Sequence, residues 1–120
     1  MIREEITALK NYLVSETKTT AVIGNEIPTK YPTIRIKMTG ELPNFKGNDK
    51  LTTFKIPLEV AVFVSADNDM KGLEILERVI LAIPSFHSYE GHELIGSGDL
   101  EYTENEFIAT LDYQLNFMLL

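Results

Sequence analysis

The last fourteen residues constrain this chain most. From Phe107 to Leu120 every odd position is apolar: Phe107, Ala109, Leu111, Tyr113, Leu115, Phe117 and Leu119. The even positions carry Thr110, Asp112, Gln114 and Asn116, and turn apolar only at Ile108, Met118 and Leu120. A period of two places one side of a β-strand in a core and the other in water. At ~3.3 Å per residue such a strand is roughly 46 Å long. A compact domain of this size has a radius of gyration of ~13–14 Å and is about 35 Å across. The strand must therefore bend, or its end must leave the domain. The tail Asn116-Phe117-Met118-Leu119-Leu120 then needs cover, which points to an assembly protein.

The remaining elements follow from local pattern. Ile2, Ile6, Leu9 and Leu13 recur at helical spacing, with Arg3, Glu4, Glu5, Thr7, Lys10 and Asn11 on the other faces. This predicts an amphipathic helix over about 2–15. Glu4 and Glu5 in its first turn suit the positive end of the helix dipole. Residues 20–23 predict a short strand stopped by Gly24-Asn25. Ile34, Ile36 and Met38 alternate with Arg35 and Lys37 in a half-buried strand over 33–38. Phe54, Ile56, Leu58, Val60, Val62 and Val64 predict a longer strand. Within it Pro57 removes a ladder donor, so it demands a bulge or an edge.

Ser65-Ala66-Asp67-Asn68-Asp69 reads as an N-cap cluster opening a helix that Pro84 stops near Ile83. Its apolar stripe is Leu73, Leu76, Ile80 and Ile83, flanked by Ile75, Val79 and Ala82. Lys71, Glu74, Glu77 and Arg78 collect into a polar strip, with Glu74 and Arg78 in the favourable i, i+4 order. Leu81 projects into that strip. Residues 39–52 and 84–98 read as loops, and 99–104 as a short strand turning at Glu104-Asn105. Leu42 and Phe45 are the large apolar residues in the middle of the first loop. The order α-β-β-β-α-β-β predicts one α+β domain, residues 1–120. Its architecture is a two-layer sandwich, a mostly antiparallel β-sheet with two helices packed on one face.

Composition narrows the function. The chain has 120 residues, 44% of them apolar, no cysteine and a net charge of −7. Absence of cysteine excludes disulfides and thiolate–zinc sites and fits a reducing cytoplasm. The start Met1-Ile2-Arg3-Glu4-Glu5 is not that of a signal peptide. No apolar run reaches the ~20 residues of a membrane span. Acidic charge opposes sequence-independent nucleic-acid binding. His87 and His92 flank Glu90 in a loop without the spacing of a rigid metal site, and read as surface histidines. Asp67-Asn68-Asp69-Met70-Lys71-Gly72 starts like a calcium loop but has Lys71 and Arg78 where ligands belong. Gly96-Ser97-Gly98 neither follows a strand nor opens a helix, so it is no phosphate cradle. Glu101, Glu104, Glu106 and Asp112 read as the solvated side of strands and turns. No nucleophile-elbow sequence is present. No catalytic, metal or cofactor site is expected.

The succession of elements resembles the tail-terminator, or tail-completion, proteins of long-tailed bacteriophages and prophages. The similar features are the helix Ile2 to Leu13, Val22-Ile23-Gly24 before the proline-marked stretch Pro28 to Ile34, and the apolar strand Ile56 to Val64. They continue with the capped helix Asp67 to Ile83 ending in Leu81-Ala82-Ile83-Pro84, and the last strand with its acidic and aromatic approach, Asp99 to Leu120. The resemblance spans nearly the whole chain and rests on order and length, without a signature motif. It implies a structural protein that forms a ring, usually of six subunits. The ring caps the tail tube, ends its polymerisation and meets the head connector. The implied setting is the host cytoplasm during assembly and then the virion tail. A closed ring needs two different patches per subunit. The residues expected at subunit or tube contacts are Leu42, Phe45, Leu81, Phe117, Met118, Leu119 and Leu120. An acidic ring lining would let DNA slide without sticking. Two other readings stay open: another phage neck or baseplate adaptor or tail-assembly factor, and a small ligand-binding regulatory domain on a ferredoxin-like scaffold.

Overall fold

The computed structural model describes residues 2–39, 46–47, 52–86, 92–94 and 98–119. Helix α1 spans Ile2–Thr17 and strand β1 Thr20–Ile23, with β2 at Thr33–Met38, β3 at Lys46–Gly47 and β4 at Thr52–Ser65. Helix α2 spans Asp69–Ala82, followed by β5 at His92–Leu94, β6 at Leu100–Tyr102 and β7 at Glu106–Leu119. The sheet runs β1-β2-β4-β7-β5, with β3 added to β4 and β6 to β7. All pairs are antiparallel except β1 with β2. This is the expected α+β sandwich.

The alternation in the sequence sets the register. Val60 lies opposite Ile36 and Leu111, and Val62 opposite Ile34 and Ala109. These residues, with Ile56, Leu58, Val64, Phe107, Tyr113 and Leu115, form the sheet's contribution to the core. Helix α1 brings Ile6, Leu9 and Leu13 onto it, and α2 brings Ile75 and Val79. The helices touch where the Tyr12 hydroxyl donates to the Ala82 carbonyl at 2.6 Å and its ring meets Phe86.

Several local expectations are refined. Helix α1 runs two residues beyond 15. It ends with Lys18 in the left-handed region at φ 56°, its N–H bonded to the Val14 carbonyl. The loop over 84–98 contains β5, too short to show a period, and the loop over 39–52 contains β3. The strand over 99–104 contracts to Leu100–Tyr102. Pro57 makes no bulge: it pairs in register with Gln114, while β2 pairs no further than Leu58. The Pro57 carbonyl accepts from Thr39 on the β2 side, so the missing N–H also faces the side where that ladder has ended.

Two readings of α2 are corrected. The buried stripe is Gly72, Ile75, Val79 and Ala82, whereas Leu73 and Leu76 are half-buried and Ile80 is exposed. Gly72 selects this face, because a side chain there would stand 2.9 Å from Phe107 Cδ2 and Val64 Cγ2. The glycine lets the helix seat on the sheet along that line. The cluster at 65–69 does not cap through side chains. Residues 66–68 wind as a 3-10 turn, and the Ser65 hydroxyl donates to Asp67 rather than receiving a helix N–H. Asp69 Oδ1 accepts from the Met70 N–H, and its Oδ2 from the Tyr102 hydroxyl at 2.7 Å. The acids of the calcium-like stretch are thus turned to protein partners.

The face away from the helices is not simply solvated. Phe63 and Ala61 are buried there. The Arg35 guanidinium lies 4.9 Å from the Phe63 ring centre and 3.4 Å from Glu59. The Tyr31 hydroxyl crosses to Glu106 on β7 and donates at 2.7 Å.

Tyr113 is the largest fully buried side chain. Burial, and secondarily the charge of Glu5, push its phenol well above the usual range near 10. Its protonated form therefore stabilises the fold at all pH below about 10, and that contribution is lost as pH rises beyond it. Unfolding free energy should fall above pH ~10 by up to ~1.4 kcal/mol per unit for this group. Urea melts between pH 8 and 11.5 measure it, and Tyr113→Phe should flatten the slope.

Candidate functional site

The described residues contain no group of three or more His, Asp or Glu placed to hold a metal ion. Among the described residues, open grooves lie between α1 and β1, beside residues 26–30 and along the first turns of α1. Two surfaces stand out among the described residues.

The first such surface is the β4–β7 ribbon. Both strands have 14 residues and pair without interruption from Ser65 opposite Glu106 to Thr52 opposite Leu119. The ribbon is roughly 46 Å long. Helices of 16 and 14 residues reach only about 24 and 21 Å. Because α2 follows the Ser65 end of β4, that helix cannot reach the other end of the ribbon. The molecule measures 54 × 26 × 24 Å with a radius of gyration of 15.0 Å, longer than a compact domain of its size. The strand leaves the domain rather than bending within it. Phe54 and Phe117 are directly opposed positions on this arm, in the same alternation as the buried Ile56 and Leu115.

The second is a scatter of exposed apolar residues around α2 and β6. Leu81 is 70% exposed on the polar strip of α2, as its position in the helical period predicts. Leu100 and Tyr102 are 61% and 62% exposed on β6, which extends the sheet beyond β7. Sequence reasoning missed this pair. Its signal, the alternation Asp99-Leu100-Glu101-Tyr102, is too short to say whether its apolar side is covered. Ile23 and Met38 are also exposed, on the β1–β2 side of the sheet.

Of the contact residues expected from the sequence, Leu81 is exposed. Phe117, Met118 and Leu119 occupy β7 in the arm, with backbone register described and side chains not. Leu42, Phe45 and Leu120 lie outside the described residues, as do His87, Glu90, Gly96 and Ser97. Glu101, Glu104 and Asp112 are exposed, and Glu106 is held by Tyr31. The phenols of Tyr31 and Tyr102 are raised, each chiefly by its hydrogen bond to a carboxylate, Glu106 and Asp69 respectively. No helix among the described residues is long and apolar enough to cross a membrane.

Comparison with models of known protein families and with curated protein sequences finds no match.

Proposed function

We propose that this protein is a structural, non-enzymatic tail protein of a phage or prophage, acting as the terminator ring of the tail tube. The observation that carries the reading is the β4–β7 arm, which outruns α2 and holds Phe54 and Phe117 at opposed positions. A ribbon whose apolar alternation runs on past the reach of α2 is suited to lie on another subunit. The resemblance in order and length of elements supplies the phage context. Exposed Leu81, Leu100 and Tyr102 supply apolar surface away from the arm, as a ring subunit with heterologous contacts requires. In this reading the partners are further copies of the chain, the tube protein and the head connector. The protein works in the host cytoplasm and then in the virion.

The test is a capping assay. Purified tube subunits polymerised with this protein should give tubes of limited length carrying a ring at one end, seen by electron microscopy. Tubes that grow without limit and stay uncapped overturn the terminator role.

A further inference from the structure

The net charge of −7 is not spread over the chain. Residues 1–78 hold all 11 Lys and Arg and 11 of the 18 Asp and Glu, whereas residues 79–120 hold no Lys or Arg and the remaining seven acids. The fold turns that asymmetry in sequence into one in space. Residues 92–119 form β5, β6 and β7, the side of the sheet opposite β1. At the β6 edge Asp99, Glu101 and Glu104 are all exposed, beside exposed Leu100 and Tyr102. Among described residues no hydrogen bond or ion pair joins these three carboxylates to a basic side chain. Lys71 and Arg78, on neighbouring α2, are turned to Glu74 at 3.9 and 2.7 Å.

The β1 side is mixed next to residues 26–30, where Glu26 and Lys30 line one groove, and basic in the groove toward α1. Tyr12 marks the side of α1 that faces α2. Lys10, Val14 and Lys18 lie on the other side, where they line a groove with Thr19, Thr20 and Ala21. No carboxylate lines this groove. Glu16, one turn from Tyr12, is exposed outside this groove. Lys18 holds a left-handed backbone where glycine is the cheaper residue, so a lysine stands there against local preference. Exposed Ile23 supplies an apolar counterpart at the end of β1.

We propose that the acidic β6 edge of one copy docks against the Lys10–Lys18 groove and β1 edge of the next, giving a head-to-tail contact between copies of this chain. The two patches are different, lie on opposite sides of one sheet, and are opposite in charge with apolar residues beside each. Such a contact repeats from copy to copy and closes if the rotation closes. This inference rests on the ring reading above but assigns the surfaces that meet.

Charge exchange tests it. One variant carries Lys10→Glu with Lys18→Glu, so that both its edges are acidic. The other carries Asp99→Lys, Glu101→Lys and Glu104→Lys, so that both are basic. Light scattering across a concentration series in low salt should find wild-type assemblies larger than a monomer. Each variant alone should associate roughly tenfold or more weakly, because like charges then face one another. An equimolar mixture should restore assembly with the two variants in equal number. A salt series on the wild type needs no variant. Its association should weaken from ~50 to ~500 mM as screening shortens the reach of the charges.

A wild type that is monomeric throughout overturns the contact, as does one indifferent to salt. So do variants that assemble as the wild type does, or folded variants that a mixture fails to rescue. Capped tubes with no charge-exchange rescue leave the terminator reading standing and remove these edges. Rescue with uncapped tubes does the reverse.

Discussion

Gly98→Ala is expected to cost about 2–4 kcal/mol and to release β6 from β7. A β-carbon at position 98 would stand 1.8 Å from the Thr110 carbonyl oxygen and 3.2 Å from the Leu111 α-carbon. Both are backbone atoms of a strand paired on its other side with β4, so β7 cannot yield. The incoming strand must yield instead. With it go the two backbone hydrogen bonds between Asp99 and Thr110, 3.2 and 2.9 Å long, and the Thr110 hydroxyl bond to the Asp99 N–H at 3.0 Å. Each is worth about 0.5–1.5 kcal/mol net. Gly24→Ala is the control. That glycine has a positive φ of 96° but nothing within 4 Å of an added methyl, so its cost is conformational alone. Urea melts give the free energies. Amide exchange locates the effect: protection should fall at 99–102 and persist in β4. A Gly98→Ala protein with wild-type stability and protected β6 amides contradicts this account of the crossing.

The second large effect separates body from arm. Leu58→Ala should destabilise the monomer by about 2–5 kcal/mol, since Leu58 is fully buried between helices and sheet and its loss leaves a cavity. Phe117→Asp, four rungs further along the same ribbon, should cost the monomer less than about 1 kcal/mol. That position lies past the reach of α2. The ranking reverses for assembly. Phe117→Asp should abolish tube capping, because a charge replaces apolar surface at the proposed contact, whereas Leu58→Ala should cap tubes wherever it remains folded. Urea melts on both variants beside the capping assay give the comparison. A Phe117→Asp protein as unstable as Leu58→Ala would mean that the arm belongs to the core. One that caps normally would remove the arm from the interface.

How much of this was legible in the residues varies with range. The alternation over 107–119 determined a long strand, its buried side and, through length, that it must either bend or outgrow the domain; only the uninterrupted pairing with β4 decided between the two. The period over 2–13 determined α1, and the position of Leu81 opposite the apolar arc of α2 determined its exposure. These follow from a repeat of two or 3.6 residues, which the chain carries locally. The tertiary structure alone decided which part of the wide apolar arc of α2 is buried. Leu73, Leu76 and Ile80 are as apolar as Ile75 and Val79, and only the approach allowed by Gly72 against Phe107 selects between them. It also decided that β1 joins β2 in parallel, that Tyr31 reaches Glu106, and that β5 and β6 share one edge with the acids of the last third of the chain. Each of these depends on residues distant in sequence meeting in space, and a local period holds no record of such meetings.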